Sequence, residues 1–205
     1  MNIYPDKLFQ AIKAGYVDDF YNILSKLGRD FDDVFNDYDE NILMAAASSN
    51  QYALAEIIVK SELIDVKNTN SLGHTALTLI IKNRKSDFNY DFIGLLSDSV
   101  NISDKQGFSP LIYAVKGAGA FGANRGNFKI IRKLRSLGAD LFHKDIYGQT
   151  ALKHAEIGNY RSRNFVNENI INYLKKEMLA EVAMEKFNEN YYYSFSEGDL
   201  SVHRI

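Results

Sequence analysis

A glycine-rich stretch near the middle of the chain has a spacing that could bind a dinucleotide. Residues 117–122 read Gly-Ala-Gly-Ala-Phe-Gly, which is the Gly-x-Gly-x-x-Gly pattern of phosphate-binding turns. An apolar run, Leu111 to Val115, precedes it, and Asp140 follows at about the 20-residue distance where such sites carry an acidic residue. This chemistry requires a strand before the glycines and a helix that begins at them, because the helix N-terminus holds the pyrophosphate. The surrounding secondary structure therefore decides whether the stretch binds a ligand.

Histidines could bind a metal or act as general bases, and the chain has four: His74, His143, His154 and His203. No two of them have the i, i+4 spacing of a helical metal site, and no His-Glu-x-x-His sequence is present. We interpret His74 as a turn residue and His154 as a helix residue, each at the surface or in contact with a partner. The chain has no cysteine, which excludes disulfides, thiol nucleophiles and cysteine-bound zinc.

A cluster of carboxylates comprises Asp30, Asp32, Asp33, Asp37 and Asp39. It lacks the central glycine and the terminal glutamate of an EF-hand calcium loop, so we interpret it as a solvated acidic rim. The sequence also has no Gly-x-Ser-x-Gly nucleophile motif and no P-loop. We therefore expect no catalytic residue, no cofactor, no metal and no enzymatic activity.

The composition is typical of a folded soluble protein. Of the 205 residues, 46% are hydrophobic and 24% are charged, which is too apolar for general disorder. No run of about 18 apolar residues occurs, so we expect no membrane span. Because the first residues lack the basic start and apolar stretch of a secretory signal, we expect a cytoplasmic protein, or one delivered into a host cell's cytoplasm if it is an effector.

The charges are distributed unevenly along the chain. Residues 1–66 contain 5 Lys/Arg and 12 Asp/Glu, a balance of −7, whereas residues 116–176 contain 12 and 4, a balance of +8. This asymmetry could orient a charged partner, or the charges could serve solubility alone. The basic stretch from Lys129 to Arg135 could contact phosphates, but its helical spacing turns the charges outward. The net charge of −2 also argues against nucleic-acid binding.

A short segment recurs along the chain at a nearly constant interval. Its clearest copies begin at Gly73, Gly107 and Gly148, which lie 34 and then 41 residues apart, and a weaker copy begins at Asp39. A period of roughly 20 to 50 residues predicts stacked supersecondary units rather than one globular core.

The copy at Gly107 shows how each unit should fold. Gly107 can take a positive φ in a turn, Ser109 can cap the helix that follows, and Pro110 fits the first helical turn. Apolar residues at helical spacing then mark a second helix, and Gly138-Ala139-Asp140 ends it. Each unit is therefore predicted to be a turn followed by two helices.

This order of signals resembles the ankyrin repeat, whose pattern is Asp-x-x-Gly-x-Thr-Pro-Leu-His-x-Ala-Ala and then Val-x-x-Leu-Leu-x-x-Gly-Ala-Asp. The resemblance implies an all-α ankyrin-repeat solenoid of about five helix-turn-helix units over residues 1–176, with a C-terminal capping helix. The units are predicted at residues 5–35, 36–69, 70–103, 104–144 and 145–176. In this phase residues 117–122 are an insertion between two helices, which argues against a nucleotide site.

The chain departs from the family pattern in two ways. The histidine that follows the leucine is replaced by Met44, Thr78, Ile112 and Lys153, so we expect less regular contacts between units. Three units carry insertions between their helices, at residues 85–89, 118–127 and 160–169. We interpret the insertions as tolerated surface loops without a role in binding. The alternative is that they extend the binding edge.

The C-terminal segment is predicted to be helical over residues 177–190. Its apolar residues lie on one stripe and comprise Met178, Leu179, Val182, Ala183 and Phe187. The segment could continue the last helix or form a further one. It could cap the stack, which we favour, or bind a partner as an amphipathic helix. The aromatic and polar tail, residues 191–205, could fold back or serve as a docking peptide.

The resemblance also implies a concave groove, formed by the turn tips and the exposed side of the first helices. The predicted partner-binding tips are Tyr38, Glu40, Leu72, His74, Gln106, Phe108, Tyr147 and Gln149. The helix positions that face the same groove are Ser48, Ser49, Lys82, Asn83, Tyr113, Lys116, His154 and Ile157. Aromatic residues in such a row are candidate hot spots, although some rings could instead pack against their own turns.

The sequence therefore favours a non-enzymatic protein-interaction module, monomeric on its own, that binds a protein partner through this groove. A regulatory or inhibitory subunit of an enzyme, or a host-directed effector of an intracellular bacterium, is the alternative. The wealth of Asn, Lys, Ile and Tyr, typical of an AT-rich genome, is the reason to consider the effector. A nucleic-acid reader that uses the basic half is a third hypothesis.

Overall fold

The computed structural model describes residues 4–27, 34–83, 88–117, 124–162 and 166–196. In these residues the chain forms five pairs of consecutive helices and no strand. The pairs are α1 (Tyr4–Ala14) with α2 (Val17–Leu27), α3 (Ile42–Ser48) with α4 (Tyr52–Lys60), α5 (Ala76–Lys82) with α6 (Phe92–Leu95), α7 (Pro110–Lys116) with α8 (Asn124–Ser136), and α9 (Ala151–Ser162) with α10 (Val166–Ser196). A short 3-10 helix, Ser97–Ser99, follows α6.

The first helices of pairs two to five begin at the same point of the repeat, each with a capping side chain. The capping residues are Asn41, Thr75, Ser109 and Thr150, and each side-chain oxygen accepts a hydrogen bond from the backbone N–H three residues later. Pro110 occupies the first turn of α7, as its sequence position predicts. A cap of this kind stabilises a helix by about 1 kcal/mol, so the repeat itself sets where these helices begin.

The helix pairs stack in a row. The first helices pack in sequence from α1 through α3, α5 and α7 to α9, and the second helices pack from α4 through α6 and α8 to α10. Six of the seven residues of α5 are buried, because a neighbouring first helix lies on each side of it. The core is therefore continuous along the stack, as the recurrence predicts, and the all-α solenoid is confirmed.

The glycine-rich stretch does not follow a strand. Leu111 to Val115 lie inside α7, which ends at Lys116 with Gly117 as its C-cap residue. Residues 118–123 lie outside the described residues, and α8 begins at Asn124. The strand that a dinucleotide fingerprint requires is thus replaced by the first helix of a repeat, which supports reading the stretch as an insertion.

The C-terminal segment continues the last helix. A single helix, α10, runs from Val166 to Ser196 and includes residues 177–190 and the first six residues of the tail. Its first half is buried against α9 and α8 through Ile170, Ile171 and Leu174. Of the predicted stripe, Met178 packs against the core, whereas Leu179 and Phe187 are exposed, Phe187 to 64%. The stripe predicted to cover the end of the stack therefore faces solvent in part, although Arg135 of α8 forms an ion pair with Glu181 of this helix.

Candidate partner-binding groove

The turns between pairs share one hydrogen-bonding pattern. Each begins with Asn or Asp, at Asn36, Asn70, Asp104 and Asp145, and the Oδ1 atom of that side chain accepts from the backbone N–H groups two and four residues later. The fourth turn position has a positive φ in every copy, including the non-glycine residue Asp39 at 57°. Asn and Asp tolerate this conformation better than other non-glycine residues. We call the four turns, residues 36–40, 70–74, 104–108 and 145–149, the turn edge.

The turns also bond to one another. The N–H of Lys105 donates to the carbonyl of Leu72 at 3.1 Å, and the N–H of Ile146 donates to the carbonyl of Gln106 at 3.1 Å. At the first junction the carboxylate of Asp39 accepts from the N–H of Ser71. These bonds fix each turn against the next, so the turn edge is a rigid surface rather than a set of independent loops.

The side chains at the third turn position point away from the stack. Tyr38 is 78% exposed and Tyr147 is 73% exposed, and Leu72 and Gln106 are also exposed. The neighbouring Ile146, which the sequence analysis does not select, is 62% exposed. A row of large apolar side chains on a rigid edge is unusual for a solvated surface and suits the binding of a partner.

The side chains at the fifth turn position are buried in three of the four turns, and for the ring of Phe108 the structure has the packed alternative rather than the exposed one. Phe108 is only 7% exposed, and Glu40 and His74 at the same position are buried as well. The cause is contact with first helices, because Phe108 lies against Tyr113 and His154, and His74 lies against Tyr113. Gln149 in the last turn is partly exposed.

The ring of Phe108 packs between two neighbours. The ring of Tyr113 lies edge-on at 5.7 Å and the ring of His154 edge-on at 5.7 Å, measured between centroids. The ammonium of Lys116 lies 3.4 Å from the centroid of the Phe108 ring, in a cation–π contact. Phe108 thus connects α7 and α9. Its ring supports the side chain of Lys116 from below and is not itself an exposed groove contact.

His74 and Tyr113 form a buried polar network with Asp104. The hydroxyl of Tyr113 donates to Oδ2 of Asp104 at 2.6 Å and lies 3.1 Å from Nε2 of His74. Burial and the nearby Lys82 ammonium lower the pKa of His74, although Asp104 opposes the shift. Burial and the Asp104 carboxylate raise the pKa of Tyr113, which therefore remains a protonated donor at neutral pH. The interpretation of His74 as a surface residue is wrong, since its partners hold it inside the stack.

His154 occupies an equivalent network in the last pair. Its Nε2 atom lies 2.8 Å from Oδ2 of Asp145, and its side chain is largely buried. Burial alone would raise the pKa of the Asp145 carboxyl. Hydrogen bonds from the Gln149 N–H, from His154 and from the Tyr147 N–H outweigh it and lower the pKa below its ordinary range. His154 is therefore a positioning residue for the last turn and not a free surface contact.

Two lysines line the groove at equivalent positions. Lys82 ends α5 and Lys116 ends α7, and both side chains are exposed. The ammonium of Lys82 lies 5.9 Å from the centroid of the Tyr113 ring. Burial lowers the pKa of Lys116, although the carboxylates of Asp145 and Asp104 oppose the shift. The middle of the groove thus presents positive charge above aromatic rings.

The other end of the groove is a cleft between α1, the first turn and α3. We call it the N-terminal cleft; its volume is about 600 Å³, and it is lined by Asp6, Phe9, Gln10, Lys13, Phe35, Asn36, Asp37, Tyr38, Glu40, Ala45, Ser48, Ser49 and Asn83. The structure brings together here five of the residues predicted to line the groove: Tyr38, Glu40, Ser48, Ser49 and Asn83. Phe9 and Phe35 also line the cleft, but they were not among the predicted groove residues, because both lie in the first unit, for which no groove position is predicted.

Asn36 and Asn70 are turn-forming residues that were not predicted from the sequence. Both lie three residues before the positive-φ position, the same place as Asp104 and Asp145, so the phase of the repeat could have identified them. Of the acidic cluster, Asp37 and Asp39 belong to the turn edge, whereas Asp30, Asp32 and Asp33 lie outside the described residues. No group of three or more metal-ligating side chains occurs among the described residues.

Comparison with protein families identifies the repeats. Residues 43–141 match the family model for ankyrin repeats, in three copies. The matched residues contain the turns that begin at Asn70 and Asp104 and the helices from α3 to α8. The comparison with curated proteins finds no match. In the part of the chain that the structure describes, no helix is both long and apolar enough to span a lipid bilayer.

Proposed function

Because residues 43–141 of this chain are ankyrin repeats, we propose that the chain binds a protein partner through the groove formed by its turn edge and first helices. Ankyrin repeats are generally protein–protein interaction modules. The proposal assigns the contacts to specific residues: the exposed tips Tyr38, Leu72 and Tyr147, and the lysines Lys82 and Lys116. Binding requires no chemical step, so the groove acts as a preformed surface.

The observation that carries the proposal is the row of exposed apolar tips on hydrogen-bonded turns. Truncating an aromatic anchor at the centre of an interface typically costs about 2 kcal/mol or more of binding free energy. The turns are already fixed by the bonds from Lys105 to Leu72 and from Ile146 to Gln106, so little conformational entropy is lost on binding. Rigidity and exposed apolar area together suit recognition of a folded or extended partner.

The buried residues of the groove have a supporting role. Phe108, His74 and His154 hold Lys116, Tyr113 and the last turn in place, and a partner would contact the side chains above them. The charges of Lys82 and Lys116 would orient the partner and raise the association rate more than they would raise the affinity. Loss of these lysines should therefore weaken binding most at low salt.

The experiment that tests the proposal compares two triple variants in affinity capture. The groove variant is Tyr38→Ala/Leu72→Ala/Tyr147→Ala. The matched control is Tyr21→Ala/Leu95→Ala/Phe142→Ala, whose side chains are also exposed but lie on or after second helices. We expect proteins that are captured by the unchanged chain and by the control to be lost with the groove variant. Equal capture by both variants would overturn the proposal.

A further inference from the structure

The N-terminal cleft has an excess of negative charge. Its lining includes the carboxylates of Asp6, Asp37 and Glu40 and a single cation, Lys13. The cleft lies at the end of the groove opposite to Lys116, with Asn83, the residue after Lys82, at its border. The field along the groove therefore draws a positive group toward the cleft and away from the lysines.

Glu40 distinguishes this cleft from an ordinary acidic surface. Its residue exposure is only 9%, and its Oε2 atom accepts from Nδ2 of Asn36 at 3.1 Å and from the hydroxyl of Ser48 at 3.1 Å. Both donors are neutral, and Glu40 forms no ion pair with another residue of the described ranges. A carboxylate buried to this extent is normally paired with a cation, and it has lone pairs for further donors.

Aromatic rings line the same cleft. Phe35 is 45% exposed and Tyr38 is 78% exposed, and Phe9 lies beside them in the lining. A guanidinium group fits such a site better than an ammonium, because it stacks on a ring face while its planar fork donates to a carboxylate. The volume of about 600 Å³ is ample for one long side chain with its flanking backbone.

We propose that the N-terminal cleft binds an arginine side chain of the protein partner, with Glu40 and Asp37 accepting from the guanidinium and the Phe35 and Tyr38 rings packing against it. This inference rests on the proposed function, since it names the chemistry of the segment that the groove receives. The ammonium of Lys13 belongs to the same lining, so the cleft suits one cationic side chain rather than a polybasic segment.

The test uses a small peptide probe, because the partner is unidentified. The full chain, labelled with ¹⁵N, is titrated with acetyl-Leu-Arg-Leu-amide and separately with the citrulline analogue, which has the same shape and no charge. We expect saturable shifts of the amide signals of Asp37, Ser48 and Ser49 with the arginine peptide. The citrulline peptide should bind about tenfold more weakly, the loss expected for one charge-assisted hydrogen bond.

Three variants make the test specific. Asp37→Asn alters an exposed carboxylate of the cleft, Glu40→Gln alters the buried one, and Asp98→Asn is a matched exposed control on the 3-10 helix. We expect the two cleft variants to weaken the arginine peptide about tenfold and Asp98→Asn to leave it unchanged. Unchanged amide signals of α7 in each variant confirm that the stack is folded, and Asp37→Asn remains informative if Glu40→Gln disturbs its turn.

The outcomes separate this inference from the proposed function. Equal binding of the arginine and citrulline peptides, equal binding of acetyl-Leu-Glu-Leu-amide, or shifts spread outside the cleft would overturn the arginine site. If the groove variant nevertheless loses its captured partner while Tyr21→Ala/Leu95→Ala/Phe142→Ala retains it, the proposed function stands and only this inference fails.

Discussion

Nε2 of His74 lies 3.1 Å from the hydroxyl of Tyr113, 39 residues later in the chain. His74 ends one turn of the turn edge, and Tyr113 lies on α7 of the next helix pair. The same hydroxyl donates to Asp104, which begins the next turn, so one buried contact connects two turns and a first helix. The groove therefore depends on polar groups that join consecutive pairs as well as on the apolar core.

The His74 contact makes part of the stability depend on pH. The pKa of His74 is lowered from its ordinary value of 6.5 by burial and by Lys82, against the opposing effect of Asp104. The folded chain thus binds fewer protons here than the unfolded chain. The contribution of His74 is complete above pH 6.5 and is lost as the pH falls from there through the folded pKa.

We expect the free energy of unfolding of the unchanged chain to fall more than that of His74→Gln between pH 7.5 and pH 5.5. The additional loss should not exceed about 1.4 kcal/mol per pH unit. Urea unfolding at several pH values measures it, and His143→Gln serves as the control because His143 has a different partner, the carbonyl of Gly107. Parallel pH profiles for the unchanged chain and His74→Gln would contradict the account.

Replacing Phe108 with alanine should lower the free energy of unfolding far more than replacing Tyr147 does. Phe108→Ala removes a buried ring between Tyr113 and His154, and we expect a loss of about 3 kcal/mol or more in unfolding free energy. Tyr147→Ala removes an exposed ring, and its effect should stay within about 0.5 kcal/mol. Urea unfolding compares the two variants. A Phe108→Ala chain as stable as Tyr147→Ala would show that Phe108 is not part of the packing.

Two glycines test whether the turns are locked against one another. A Cβ atom at Gly73 would lie 2.8 Å from the backbone nitrogen of Lys105 and 2.9 Å from the Cα atom of Asp104. A Cβ atom at Gly148 meets nothing within 4 Å, although both glycines have a positive φ. Gly148→Ala should cost about 1 to 2 kcal/mol from backbone strain alone.

Gly73→Ala should cost more, by a further 1 to 3 kcal/mol or so, because the neighbouring turn has to move. The difference between the two variants isolates the contact between turns, since the strain of an alanine at positive φ is common to both. Thermal and urea unfolding provide the measurement. Equal losses for Gly73→Ala and Gly148→Ala would refute a turn edge that is rigid through contact between its turns.

Arg135 should hold the middle of α10 on the stack. Its guanidinium donates to Oε2 of Glu181 at 2.9 Å and to the carbonyl oxygen of Ala139. It also lies 3.9 Å from Oε2 of Glu177. Arg135→Ala should release this part of the helix and raise amide hydrogen exchange over residues 177–187 about fivefold, the effect of losing roughly 1 kcal/mol. Lys175→Ala, which removes an exposed pair with Glu156, is the matched control. Exchange that is equal in both variants would argue against this role.

The helix positions could be predicted because their signals are local. Ser109 and Pro110 determine where α7 begins, and Thr75 and Thr150 repeat the same cap in phase. The recurrence of Gly73, Gly107 and Gly148 then places the turns at the same phase. Short-range capping and backbone preferences act within a few residues, so a single sequence carries them completely.

The burial of each groove side chain could not be predicted, because it depends on contacts with residues that are distant in the sequence. Phe108 and Tyr147 both look like exposed aromatic tips, yet one lies at the base of its turn and the other at its third position. Likewise, nothing in the local sequence of His74 indicates Tyr113, and the burial of Glu40 depends on Ser48 and on the turn at Asn36. The exposure of Leu179 and Phe187 on α10 could not be predicted either, because the same apolar stripe is compatible with packing against the stack.

The most direct test of the account is to locate the bound partner by photo-crosslinking. p-Benzoylphenylalanine is placed singly at Leu72 or Tyr147 on the turn edge, and at Tyr21 or Phe142 on the side of the second helices. Each labelled chain is mixed with a captured partner and irradiated. If the partner binds in the groove, we expect covalent adducts from the two turn-edge positions and none from the other two. Adducts formed only from Tyr21 or Phe142 would contradict it.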